Sequence, residues 1–150
     1  MAIVKQKNAK SGITYVYDSH SFRDPVTKQP RSTRKLLGIL LGRAERHLDG
    51  RLVVTYETME DTKKWGLEGR DSDALYQLML SAKGVEAVAF LRQDTPTTCT
   101  GGFRSLDKID VSLVAAKFGG GGHKNASGMS CDGRVETLIP QIVKEFARIM

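Results

Sequence analysis

The chain has 150 residues, 40% of them hydrophobic, and a formal net charge of +6, which is one ordinary domain's worth of material able to bury a core without metal or disulfide staples. No run approaches the roughly 18 apolar residues of a membrane-spanning helix, and the first ten residues lack the apolar stretch of a signal peptide. Cys99 and Cys131 make no CxxC pair, which speaks against a disulfide framework or a zinc knuckle and leaves a soluble, cytoplasmic protein as the expectation.

The charge is unevenly placed. Residues 1–40 hold eight lysines and arginines against two aspartates, so they carry the whole net charge and the other 110 residues sum to zero. Such a basic arm suits nucleic acid or another acidic surface, although a solvated basic segment without a partner leaves the same trace. Within it, residues 13–18 (ITYVYD) are β-prone, and the Asp24-Pro25 and Gln29-Pro30 steps break regular structure. From an N-cap at Ser32 or Thr33, the residues Leu36, Leu37, Leu40, Leu41, Ala44 and Leu48 recur at helical spacing, which predicts an amphipathic helix ending near Asp49-Gly50.

Residues 52–58 (LVVTYET) then predict a strand and residues 59–65 a short helix closed by Gly66. Asp71 or Ser72 caps a helix through Leu75, Leu78, Met79 and Ala82, with Gly84 at its end. Residues 85–92 (VEAVAFLR) predict a buried strand, and a turn at residues 94–96 returns the chain into residues 98–105. Asp110 caps a helix over residues 111–117. Residues 126–131 predict a strand, and residues 135–150 a closing helix with Pro140 either near its first turn or kinking it. Strands alternating with helices imply an α/β (α+β) fold, a mixed sheet of about five strands packed with helices. The expected organisation is a basic arm over residues 1–35 and one domain over residues 36–150.

Four glycines, residues 119–122, followed by His123 interrupt this pattern between a helix and a strand. Glycine reaches φ > 0 without steric cost, so successive glycines can aim several N–H groups at one anion, with His123 as a further donor at the rim. The run fits neither common nucleotide loop: counting from Gly119, a Walker-type loop needs glycine where Lys124 stands, and a dinucleotide fingerprint needs glycine at Lys124 or Asn125. Four glycines alone also describe a flexible linker. Against that, Phe118 precedes them and Asn125-Ala126-Ser127-Gly128 carries them directly into structure.

Residues 118–128, FGGGGHKNASG, resemble the glycine-histidine signature of the DHH-associated C-terminal domain of DHH-family phosphoesterases. The resemblance extends over residues 36–150, through DGRLVVTYET, KGVEAVAFLR, FRS and IDVSLVAAKFGGGGH in order, and is nearest to nanoRNA oligoribonucleases and phosphoadenosine-phosphate phosphatases. It implies a substrate-facing site of Gly120, Gly121, Gly122 and His123 together with Arg104 and Ser105. A guanidinium grips phosphate through two parallel hydrogen bonds, and a hydroxyl donates or accepts one. Gly102 departs from the pattern, since many relatives carry serine before the hydrophobic-Arg-Ser triplet.

The same resemblance implies a manganese-dependent hydrolase whose metal is held by a separate domain with an Asp-His-His element. That element is missing from these 150 residues, so neither a metal site nor a catalytic residue is assigned to this chain. The expected role is binding of short RNA or DNA oligonucleotides or nucleotide phosphates beside a catalytic DHH domain, with homo-oligomerisation as a further expectation and no membrane. An active phosphoesterase and a noncatalytic nucleic-acid binder led by the arm are the alternatives. Residues 1–38 separately resemble the start of insertion-sequence transposases, through the KQPRS-TRKLLG run.

Overall fold

The computed structural model describes residues 3–7, 14–18, 21–23, 30–32, 34–67 and 72–150. In the first part of the chain, β1 (Ile3–Lys7) pairs antiparallel with β2 (Thr14–Asp18), and β3 (Ser21–Arg23) with β4 (Pro30–Ser32). The expected strand at residues 13–18 is therefore present, in a two-stranded sheet of its own. The Asp24-Pro25 step lies outside the described residues.

The main unit continues with α1 (Arg34–Gly42), β5 (Glu45–His47), β6 (Leu52–Glu57), α2 (Met59–Trp65) and α3 (Ser72–Leu80). It closes with β7 (Ala87–Thr95), β8 (Thr98–Ser105), α4 (Ser112–Lys117), β9 (Gly121–His123), β10 (Ala126–Asp132) and α5 (Val135–Ile149). One six-stranded mixed sheet results, in the order β5-β6-β7-β8-β10-β9. Only β6 and β7 run parallel. The fold is the α/β class expected, with six strands in this sheet in place of about five. Four of the expected strands lie in it, and the three-residue edge strands β5 and β9 are the two additions.

Central strands need apolar residues on both faces, and β7 supplies them. Ala87, Ala89 and Leu91 face a core under α4 and α5 that includes Phe103, Val114, Ile142 and Phe146. Val88 faces a second core with Leu36 and Leu40 of α1 and Leu75, Tyr76 and Met79 of α3. On α5 the buried residues Val135, Leu138, Ile142 and Phe146 follow helical spacing, and Phe146 meets Phe103 edge-on at 5.8 Å between centroids. Pro140 lies on the exposed side of that helix, inside its second turn.

The first helix is shorter than its apolar periodicity predicts. It stops at Gly42, and Glu45, Arg46 and His47 pair with Val54, Val53 and Leu52 as an edge strand. Leu48 (φ 52), Asp49 (φ 58) and Gly50 (φ 83) make the left-handed turn into β6. Leu48 packs against the α5-side core, so tertiary burial holds a leucine where local preference does not. Two polar anchors fix the neighbouring elements: the Arg43–Asp61 ion pair, and the Thr58 side chain that accepts from Asp61 N–H in a capping box. Cys99 and Cys131 stand directly opposite each other on β8 and β10, and burial pushes the Cys99 thiol up to about 11. Among the described residues no helix is long and apolar enough to cross a membrane.

The glycines around β9 answer to different constraints. A methyl group on Gly120 or Gly122 would approach the β10 backbone closer than 3.0 Å, whereas at Gly121 it would meet nothing within 4 Å. Gly120→Ala should therefore cost at least about 2 kcal/mol, and Gly121→Ala should stay within about 0.5 kcal/mol. Chemical denaturation of the two variants checks the contrast.

Candidate anion-binding face

The face of the sheet toward α1 and α3 carries Arg104, Gly121 and His123 of the predicted site residues, and strand register decides how they meet. Ala126 of β10 pairs with Arg104 of β8 on one side and with His123 of β9 on the other. Directly paired residues of an antiparallel sheet project from the same face, so Arg104 and His123 stand in one row with only the Ala126 methyl between them. Two strand spacings separate them, about 10 Å. The next row is Gly102, Gly128 and Gly121, three glycines side by side, followed by Thr100 opposite Ser130. Gly128 and Gly121 thus present bare backbone next to a cation and an imidazole.

Arg104 is held in place. Its guanidinium lies 4.5 Å from the centroid of the Tyr76 ring, a cation–π contact of about 1 kcal/mol. One Nη donates to Phe103 O at 3.0 Å, and the other pairs at 3.4 Å with the exposed Asp73 on the first turn of α3. Burial pushes the Tyr76 phenol up to about 12, against the opposing pull of Arg104. The phenol is therefore a proton donor across the neutral range. His123 is exposed at the sheet edge.

The glycine run takes a different form from the open cradle of N–H groups expected. Gly119 (φ 74) donates to Ala116 O and Gly120 to Ala115 O, the paired bonds that end a helix in a left-handed glycine turn. Those two N–H groups are engaged by α4, and φ is positive only at Gly119 and Gly122 within the run. The chain then enters β9 and turns back at Lys124-Asn125. This tip is tied down: Lys124 O accepts from Val111 N at 2.8 Å, and Asn125 Nδ2 donates to Ser105 Oγ at 3.1 Å and Leu106 O at 3.0 Å.

Ser105 sits on the opposite face from Arg104. Its hydroxyl is buried and donates to Ile109 O at 2.6 Å, so it braces the loop before α4 and, through Asn125, the hairpin that carries His123. The structure thus brings Arg104, Gly121 and His123 to one open face and puts Ser105 behind it. Tyr76 and Asn125 are contributors that sequence patterns did not single out. An aromatic residue inside an apolar helix stripe carries no signal of what its tip touches.

Such a molecule is a mixed-sheet α/β domain with a basic group and an imidazole set over bare backbone. Residues 49–150 match the family model described as the DHHA1 domain, and the chain belongs to that family. Two solved structures share the fold. An exopolyphosphatase-related protein from Bacteroides fragilis is 29% identical with a TM-score of 0.69, over 77% of this chain and 34% of that one. The pGpG-specific phosphodiesterase PggH from Vibrio cholerae is 14% identical with a TM-score of 0.54, over 78% and 40%. The chain thus spans between a third and two fifths of these structures' length. An uncharacterised protein of Acanthamoeba polyphaga mimivirus is 59% identical over 27 residues, 18% of this chain and 6% of that protein. Although the family match begins at residue 49, α1 packs into the second core and β5 extends the sheet ahead of it.

The raised Tyr76 phenol has a stability consequence with a definite sign. A group whose folded pKa of about 12 exceeds its unfolded value of 10.0 stabilises the fold below pH 10, and that contribution fades as pH rises toward 12. Unfolding followed from pH 8 to 12 should show a shallower alkaline decline in Tyr76→Phe than in the wild type.

Proposed function

We propose that this DHHA1 domain binds a phosphate-bearing ligand, a short oligonucleotide or a nucleotide bisphosphate, on the face defined by Arg104, the Gly120–Gly122 run and His123. The observation that carries the proposal is the row Arg104–Ala126–His123. A phosphate laid on that row meets a guanidinium able to donate two parallel hydrogen bonds and an imidazole donor, with no side chain larger than methyl in between. Gly121 keeps the approach open, Gly120 and Gly122 let β9 lie against β10, and Ser105 supports the hairpin from behind. Membership of a domain family that resembles part of the DHH phosphoesterases, and likeness to an exopolyphosphatase-related protein, support phosphate as the recognised group.

The proposed place for chemistry is a separate DHH domain. Among the described residues no three His, Cys, Asp or Glu side chains gather as a metal-holding set, and Mn2+ in this proposal belongs to that partner domain. The chain by itself binds and positions what the partner cleaves, in the cytoplasm, in the manner of the nanoRNA and phosphoadenosine-phosphate hydrolases it resembles. Residues 1–35 are proposed to be a basic arm separate from the binding domain. The charge partition and the transposase-like run at residues 1–38 support that division.

Calorimetric titration of the full chain with a dinucleotide and with adenosine 3′,5′-bisphosphate tests this. Wild type should bind, and His123→Ala should weaken binding about tenfold, the loss of one hydrogen bond to a charged group. Failure of the folded wild type to bind either ligand overturns the assignment. Phosphate or mononucleotide release by the purified chain with Mn2+ would instead favour an active phosphoesterase.

A further inference from the structure

Gly102 is a glycine that its own backbone does not require. It lies mid-strand in β8 and is not among the positive-φ glycines, so any residue could adopt its conformation. A glycine inside a strand weakens it unless another group approaches closely. Here the approaching group is the hydroxyl of Tyr76, which occupies the space a Cβ on residue 102 would fill.

The path of Tyr76 shows where that hydroxyl is delivered. Its side chain leaves α3, packs edge-on to Phe90 with centroids 6.2 Å apart, and passes beside the Arg104 guanidinium at 4.5 Å. Phe90, Gly102, Gly128 and Gly121 are successive partners across the sheet. The hydroxyl therefore stands at the inner end of the glycine row, one residue-pair away from the row of Arg104 and His123. Beyond it, Gly128 and Gly121 leave bare backbone. Among the described residues no hydrogen bond engages the phenol oxygen.

We infer that Tyr76 is a specificity-determining residue of this face: its ring positions the Arg104 guanidinium, and its hydroxyl replaces a side chain on residue 102 as donor to the ligand. This rests on the phosphate-binding proposal above. The ligand class it selects is a phosphate ester with a second acceptor oxygen, from a sugar or another phosphate, lying along the glycine row.

A double-mutant cycle on the full chain tests it with adenosine 3′,5′-bisphosphate as probe, pairing calorimetry with thermal unfolding. Tyr76→Phe keeps the ring beside Arg104 and should melt near the wild-type temperature at neutral pH, yet bind about tenfold more weakly. Gly102→Ser places its Cβ against the phenol oxygen and should lower the melting temperature. Once that oxygen is removed, the nearest atom is the ring Cζ at 3.1 Å, a contact a small shift relieves. The double variant Tyr76→Phe with Gly102→Ser should therefore regain stability over Gly102→Ser and, through the serine hydroxyl, affinity over Tyr76→Phe.

Binding by Tyr76→Phe within twofold of wild type overturns the role of the hydroxyl, as does a double variant no tighter than Tyr76→Phe. If wild type binds, His123→Ala weakens it and Tyr76→Phe does not, the face stands and the assignment of Tyr76 falls. Absence of wild-type binding overturns both.

Discussion

The close approach of β9 to β10 is the constraint on which the candidate site depends. A three-residue edge strand has few ladder bonds of its own, and it stays in register here because its backbone lies where side chains would otherwise be. Gly120 and Gly122 have no Cβ to hold β9 off Gly128, Met129, Ala126 and Ser127. On one side the left-handed turn at Gly119 delivers the strand straight from the end of α4. On the other, Asn125 and Lys124 fasten the return turn to β8 and to the start of α4. A one-residue slip of this register would carry His123 to the opposite face and part it from Arg104.

The two faces of the sheet are built for different purposes. Behind it, α4 and α5 seal a continuous apolar core from Leu52 to Phe146. In front, α1 and α3 pack against β6 and β7, through Leu40, Val53, Met79 and Val88. Over β8, β10 and β9 the front-facing residues are Thr100, Gly102, Arg104, Ala126, Gly128, Ser130, Gly121 and His123, which expose little apolar surface and so leave little that must be buried. Tyr76 marks the border: its ring belongs to the second core, and its hydroxyl reaches the glycine row.

Much of this was legible in the chain because local chemistry and tertiary packing agree. The end of α2 was plain from Gly66, and the limits of β8 and α5 from their turns and apolar spacing, whereas the Thr58–Asp61 capping box that starts α2 showed only in the structure. β5 was hidden because Glu45-Arg46-His47 has no apolar alternation, while Ala44 and Leu48 continue the helical spacing of α1. Here the backbone pairing offered by β6 and the burial of Leu48 outweighed periodicity. The glycine run was legible as a special backbone but not as a strand, since nothing local records that α4 engages the N–H groups of Gly119 and Gly120. Likewise FRS marks Arg104 and Ser105 together, whereas strand alternation sends them to opposite faces.

The state of Arg104 bears on how such a face would take a ligand. Its ring contact with Tyr76 is shielded, but its carboxylate partner Asp73 is 72% exposed and 3.4 Å away. Pairs of that kind contribute between nothing and about 1 kcal/mol. A phosphate arriving over Ala126 competes with one loose contact and meets a guanidinium already held in orientation by the aromatic ring. Little ordering entropy then remains to be lost on binding. Removing the ring and removing the charge are for that reason different perturbations: the first leaves a cation held only through Phe103 O and the exposed Asp73, the second leaves a well-made slot with nothing in it.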